Sequence, residues 1–180
     1  QKRDNTEIEI LAHLFKGEAH IRGIERAIHI PHATLIRKLN RLYKENIVDY
    51  NIIGKNKSYF IKKGLKSQKM LEIMESYRLL KLFQNYPHLE PLFEDISKKC
   101  DSRLIILFGS YAKGIPKPQS DIDIYLETED QNTKKKIEEL NSQLSIKIGK
   151  FNKDSLLIKE VIKNHIILRG AERFYEQLFD

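Results

Sequence analysis

The sequence predicts an α+β chain of two domains joined by a long helix, and three observations carry that expectation. Residues 6–63 read as three helices followed by a strand hairpin. Residues 66–85 hold one uninterrupted helical pattern. From residue 87 onward, helical and strand patterns are interleaved around a short apolar run and an Asp-Ile-Asp-Ile segment, as in a small sheet with helices packed on it. The expected boundaries are 1–65, 66–86 and 87–180, the last one marked by Tyr86-Pro87.

Charge separates the two halves. The chain of 180 residues has 32 Lys and Arg against 25 Asp and Glu, a net +7. Residues 1–85 hold 17 basic and 9 acidic side chains, or +8, and residues 86–180 hold 15 and 16, or −1. A basic half joined to a neutral one points to a nucleic-acid-binding module attached to something else. A hydrophobic content of 41% supplies cores, and a charged content of 32% suits a solvated surface. No apolar run approaches the ~18 residues of a membrane span, and residues 1–20 show no signal-peptide apolar core. A single cysteine, Cys100, can form neither an internal disulfide nor a cysteine-based zinc site. Together these features predict a cytoplasmic protein with no membrane partner.

In the first half, Ile8, Leu11, Ala12 and Phe15 make an i, i+3, i+4, i+7 stripe that Asn5 or Thr6 is placed to cap and Gly17 ends. A second short helix fits residues 21–28, and Pro31 at a first helical position opens a third. In that third helix Leu35, Ile36, Leu39, Leu42 and Tyr43 fall on one side, while Arg37, Lys38, Arg41 and Lys44 fall on the other, toward solvent. Residues 47–53 and 58–61 read as strands joined by Gly54-Lys55-Asn56-Lys57.

Three helices followed by a hairpin resemble the winged helix-turn-helix fold, with residues 31–45 as the recognition helix. That resemblance implies binding to duplex DNA. His32, Thr34, Arg37, Lys38 and Arg41 would face the major groove, and Lys55 and Lys57 at the wing tip would meet phosphate. The alternative is a solvated cationic face on a protein-docking module. The linker helix carries Met70, Ile73, Met74, Tyr77, Leu80 and Phe83 along one side, a stripe suited to packing on both domains or to a homodimer seam.

In the second half, residues 104–107 read as a buried strand, Gly109-Ser110 breaks it, and Asp121-Ile122-Asp123-Ile124 alternates at period two. The alternation places both carboxylates on one strand face about 7 Å apart, where they repel unless a cation lies between them. Mg²⁺ suits one or two carboxylates plus phosphate oxygens. Glycine lets a backbone approach a ligand closely, and a serine hydroxyl can hold a phosphate oxygen.

Gly109-Ser110, Gly114 and Ser120-Asp121-Ile122-Asp123, at their spacing, resemble the signature of the DNA polymerase β-like nucleotidyltransferase superfamily. The likeness is to its minimal archaeal and bacterial members, and the motif spans about a tenth of the chain. The resemblance implies metal-dependent transfer of NMP from an NTP such as ATP, with release of pyrophosphate. Asp121 and Asp123 would hold Mg²⁺ or Mn²⁺ as the catalytic pair, and Gly109, Ser110, Gly114 and Ser120 would bind the nucleotide.

One element of the family pattern is missing. Members usually bring a third carboxylate from the strand after the next helix, and here that strand, residues 144–148, offers Ser145 and Lys147. Glu127 lies about 13 Å along the strand from Asp123, and Asp154 lies past the end of the later strand. The gap keeps a second reading open: a DNA-binding regulator whose second domain binds nucleotide or a partner without turnover. Minimal nucleotidyltransferases of this motif often act as antitoxins beside HEPN-domain toxins, so the resemblance also implies a partner of that kind.

Overall fold

Helix α1 (Thr6–Leu14) buries Ile10, Leu11 and Leu14, a stripe that shares Leu11 with the one expected at Ile8, Leu11, Ala12 and Phe15 and is rotated away from the other three. Asn5 stands at its N-cap position, but no side chain caps the helix. In this computed structural model, which describes residues 5–179, the chain forms two units, 1–74 and 75–180. The division falls within one helix, α4 (Leu65–Asn85), inside the segment expected to be a linker.

The first unit continues with β1 (Ala19–His20), α2 (Ile21–Ile28), α3 (His32–Lys44), β2 (Val48–Ile53) and β3 (Asn56–Ile61). Pro31 is the N-cap of α3 rather than its first helical residue; its extended ψ of 140° sets the chain's entry. The hairpin has antiparallel register, Ile53 facing Asn56, so its loop is only Gly54-Lys55. β1 pairs with β3 through Ala19–Tyr59 and His20–Ser58, giving the strand order β1-β3-β2. Ile24, Leu35, Leu39 and Leu42 join the α1 residues in being fully buried. This is the winged helix-turn-helix arrangement, with β2 and β3 as the wing.

The α4 stripe differs from expectation. Ser67, Leu71, Met74, Glu75 and Leu82 are its buried positions, whereas Ile73 and Leu80 are 52% and 60% exposed. Apolar residues stand on both sides of this helix, so spacing alone does not select the inner one.

The second unit carries α5 (Leu89–Lys99), β4 (Ile105–Phe108), α6 (Gly109–Lys113), β5 (Ile122–Leu126), α7 (Gln131–Glu138), β6 (Leu144–Ile148), α8 (Leu156–Lys163), β7 (Ile166–Arg169) and α9 (Ala171–Phe179). Its sheet runs β6-β5-β4-β7 and is mixed: β5 and β6 are parallel, and the other pairs are antiparallel. Alternation along β5 sends Ile122, Ile124 and Leu126 into a core shared with Phe93, Ile96 and Ile137. Tyr125 points to the opposite face, where Phe151, Phe174 and Tyr175 form an aromatic chain. Side chains cap helices α7 and α8 at their N-termini. Asp130 accepts from the Asn132 and Thr133 amides, and Ser155 accepts from Ile158 N.

Two polar contacts, one half-buried and one buried, hold the C-terminal segment. Glu127 is clamped bidentately by Arg173, and Gln177 Nε2 donates to its Oε1 at 2.8 Å. Burial opposes ionisation of Glu127, but the guanidinium and the amide outweigh it and hold the carboxyl below its usual value. Deeper in the unit, Glu75 Oε1 accepts from Tyr175 Oη at 3.0 Å and Arg78 Nη1 at 2.9 Å, with His165 Nε2 3.4 Å away.

Candidate nucleotide site and nucleic-acid surface

On α3 the expected cationic face divides in two. Arg37 is exposed and forms no ion pair among the described residues. Lys38 is 9% exposed, with Nζ 3.3 Å from Glu7 Oε1, so it ties α3 to α1 and does not face solvent. Lysine's apolar stem lets a residue at the edge of a helix face turn inward when a carboxylate awaits it. Arg41 lies on the exposed side, with Nε 3.0 Å from Glu45 Oε1 and an η-nitrogen 3.5 Å from Glu7. His32, exposed at the helix start, bonds Glu25, and Thr34 is half-buried. Tyr43, expected in the core, is 46% exposed and lies 5.5 Å from the Tyr50 ring.

Lys55 is at the wing tip, as expected, but Lys57 is not. It pairs across the hairpin with Ile52 and lies with Nζ 3.9 Å from the Tyr50 ring centroid. The sequence signal was ambiguous because Asn56-Lys57 has turn-like composition, while pairing in register extends β3 through both. Two cations passed over in the sequence stand beside this strand. Arg22 and Arg26, one turn apart on α2, are exposed without ion pairs among the described residues, and they line a groove with His20, His32 and Lys57. Glu18 is the acid in that lining.

In the second unit, the two ends of the Gly-Ser…Asp-x-Asp motif meet. β4 and β5 are antiparallel with Phe108 opposite Asp123, so the turn into α6 returns the chain beside the acids. Gly109 has φ 71°, and a Cβ placed there would stand 2.2 Å from Asp123 Oδ2. Only glycine fits at this position without moving the carboxylate. Gly114 ends α6 in the same left-handed region, φ 75°, with open space around it. Tyr111 is buried and stands edge-on to Tyr86 at 5.3 Å, which anchors the short helix from below.

Asp121 is exposed just before β5, and Asp123 is half-buried within it. Burial raises the Asp123 carboxyl above its usual range, and the Asp121 charge adds to that. A Ser145 hydrogen bond and the charges of Lys147 and Lys113 oppose the rise. Ser110 is half-buried at the start of α6, and its hydroxyl makes no hydrogen bond among the described residues. Ser120 is occupied: its Oγ accepts from Lys117 N at 2.8 Å and closes the loop that delivers Asp121. The structure thus brings Gly109, Ser110, Asp121 and Asp123 together, while Gly114 and Ser120 shape the backbone on either side.

Residues 92–173 match the family model described as "Polymerase beta, Nucleotidyltransferase". Over this segment the chain is similar to nucleotidyltransferases of the polymerase β type. Among curated proteins, none matches the chain. A solved structure of the transcriptional repressor BigR from Xylella fastidiosa is similar at 19% identity and a TM-score of 0.36, over 49% of this chain and 78% of that one.

The second unit has no acid at the position beside Asp123. In the parallel register of β5 and β6, that position is Ser145, and Lys147 stands beside Tyr125. Glu127 is taken by Arg173 and Gln177, and Asp154 is exposed in the turn before α8. Among the described residues, no group of three or more His, Cys, Asp or Glu could hold a metal ion. Asp121 and Asp123 are the two acids of the motif that could hold a Mg²⁺ or Mn²⁺ together with phosphate oxygens. No described helix is long and apolar enough to cross a membrane.

Proposed function

We propose that the second unit binds an NTP with one Mg²⁺ at Asp121 and Asp123 and transfers its nucleotidyl group to an acceptor hydroxyl, releasing pyrophosphate. The observation that supports this reading is the close approach of Gly109 to the Asp123 carboxylate, such that a Cβ there would stand 2.2 Å from Oδ2; it puts the two halves of the motif side by side. Mg²⁺ held there would supply charge neutralisation at the phosphates. The chain itself would orient the triphosphate through Gly109 and Ser110 and aim the α-phosphate at the acceptor. Positioning of this kind accounts for most of the rate in phosphoryl-transfer chemistry.

A second reading is favoured by Ser145, which stands where the two-metal arrangement needs a carboxylate. In it the domain binds nucleotide without turnover, and the first unit, through Arg37, Arg41 and Lys55, holds the chain on duplex DNA as a regulator. Such a protein would have a partner, and the resemblance makes a HEPN-type chain the first to test by co-expression. A homodimer through the exposed side of α4 is the other assembly to measure.

One experiment separates the two readings. The full chain is incubated with labelled NTPs, Mg²⁺ and candidate acceptors, and label transfer and pyrophosphate are followed alongside calorimetric NTP binding. Transfer that disappears in Asp121→Asn supports the enzyme; Mg²⁺-dependent binding without pyrophosphate supports the regulator. Transfer that survives Asp121→Asn places the activity elsewhere.

A further inference from the structure

Two isoleucines stand in water at the end of the wing. Ile52 is 73% exposed and Ile53 55%, although β-branched side chains suit strands chiefly because they pack on a covered face. Their register explains how they are presented. Ile52 pairs with Lys57 and Ile53 with Asn56, with only Gly54-Lys55 between, so consecutive residues put one isoleucine on each face of the hairpin just before it turns. Residues 51–57 are all exposed and hold two lysines and no acid. Lys57 lies back over Tyr50, with Nζ 3.9 Å from the ring centroid, so its charge flanks the tip. Tyr50 in turn stands 5.5 Å from Tyr43, which braces the wing against the helix that exposes Arg37. The outcome is a stiff apolar point with positive flanks.

We infer that the wing tip is a wedge for duplex DNA: Ile52 and Ile53 enter the minor groove, part a base step and bend the duplex, while Lys55 and Lys57 meet the phosphates beside it. The inference rests on the reading of the first unit as a DNA-binding module. Charge selects this occupant over a second copy, which would bring the same lysines and no acid to the contact. Size selects it over a bilayer, because two isoleucines carry less apolar surface than a single acyl chain, which by itself anchors only marginally. A parted base step offers apolar base faces to the isoleucines and phosphates to the lysines. Parting is easiest at pyrimidine–purine steps, so the wedge would favour such sequences without a hydrogen bond to any base.

The test uses the full chain and two DNA probes. Ligase-driven ring closure of fragments of about 150 bp, near the persistence length, reads bending without a known operator. Fluorescence anisotropy across a salt series compares short duplexes rich in TA steps with A-tract duplexes. The parent should speed ring closure and bind the TA-rich duplex about threefold to tenfold more tightly than the A-tract. With Ile52→Ser and Ile53→Ser combined, ring closure should fall to the rate of free DNA, the step preference should vanish, and affinity should drop about tenfold at an unchanged salt slope. Lys55→Ser should do the converse, reducing the salt slope by about one while the saturated complex still bends. Ile52→Val with Ile53→Val keeps the apolar tip and should keep the bend.

If the parent shows no salt-dependent binding to duplex DNA, the reading of the first unit falls and this inference with it. If the parent binds, only the wedge is at stake. It is overturned when the parent does not speed ring closure, or when the double serine variant speeds it equally. It is also overturned by a parent dimer that the serine variant dissolves, which assigns the tip to a second copy. Binding to phosphatidylserine vesicles that the serine variant loses, with ring closure intact, assigns it to a bilayer. Thermal melts, expected to match the parent because both positions are exposed, confirm that the variants are folded.

Discussion

An alanine at position 109 would put a Cβ 2.2 Å from Oδ2 of Asp123, whereas an alanine at position 114 would meet nothing within 4 Å. Both glycines have φ above +70°, so either substitution carries the same kind of backbone cost, roughly 1–2 kcal/mol. Melting temperatures should fall by a few degrees in both variants. Only Gly109→Ala displaces the carboxylate, and it alone should lower Mg²⁺-dependent NTP affinity, by about tenfold or more. Calorimetry on the two proteins side by side checks this; equal affinities would separate the glycine from the site. Both glycines, both aspartates and Ser110 were readable in the sequence because their spacing is local. Ser120 was readable too, but its hydroxyl serves the loop, since Lys117 N lies within reach. That β6 offers Ser145 and Lys147 and no acid on that face was also legible, because alternation fixes which residues share a face; which of them stands beside Asp123 came only with the strand pairing.

At the scale of elements, α3 makes the sharpest contrast, because two adjacent cations do different things. Arg37→Ala should weaken duplex DNA binding and reduce its salt slope by about one, with the melting temperature unchanged. Lys38→Ala should do the reverse: it leaves the Glu7 carboxylate without this partner, at a cost of about 1–3 kcal/mol, and spares DNA affinity. Fluorescence anisotropy across a salt series, with melts of each protein, distinguishes them. Helical periodicity located α2 and α3 well because each has one apolar side. It failed on α4, where leucines, methionines, Ile73 and Phe83 populate both sides and partner surfaces choose between them. β1 was invisible, since two residues, Ala19 and His20, carry no period, and their pairing depends on β3, almost forty residues later. The capping roles of Asp130 and Ser155 could have been found, because each precedes a helical pattern by the spacing a cap requires.

Across the molecule, the clamp of Arg173 and Gln177 on Glu127 links the end of β5 to the last helix, and it carries a pH signature. Because the folded carboxyl lies below its unfolded value near 4.5, its contribution is complete above that pH and is lost as pH falls through the folded value. Urea unfolding between neutrality and acid should therefore show a stability loss below about pH 4.5 that Glu127→Gln makes shallower. An unchanged acid limb in the variant would assign that loss to other carboxylates. A practical consequence follows from the ring contact beneath α6. The chain contains no tryptophan, so an indole installed in place of Tyr86 would be the sole fluorophore excited near 295 nm. It would sit against the short helix that begins at Gly109, and could report ligand arrival by its emission alone, with no dye, tag or radioactive tracer.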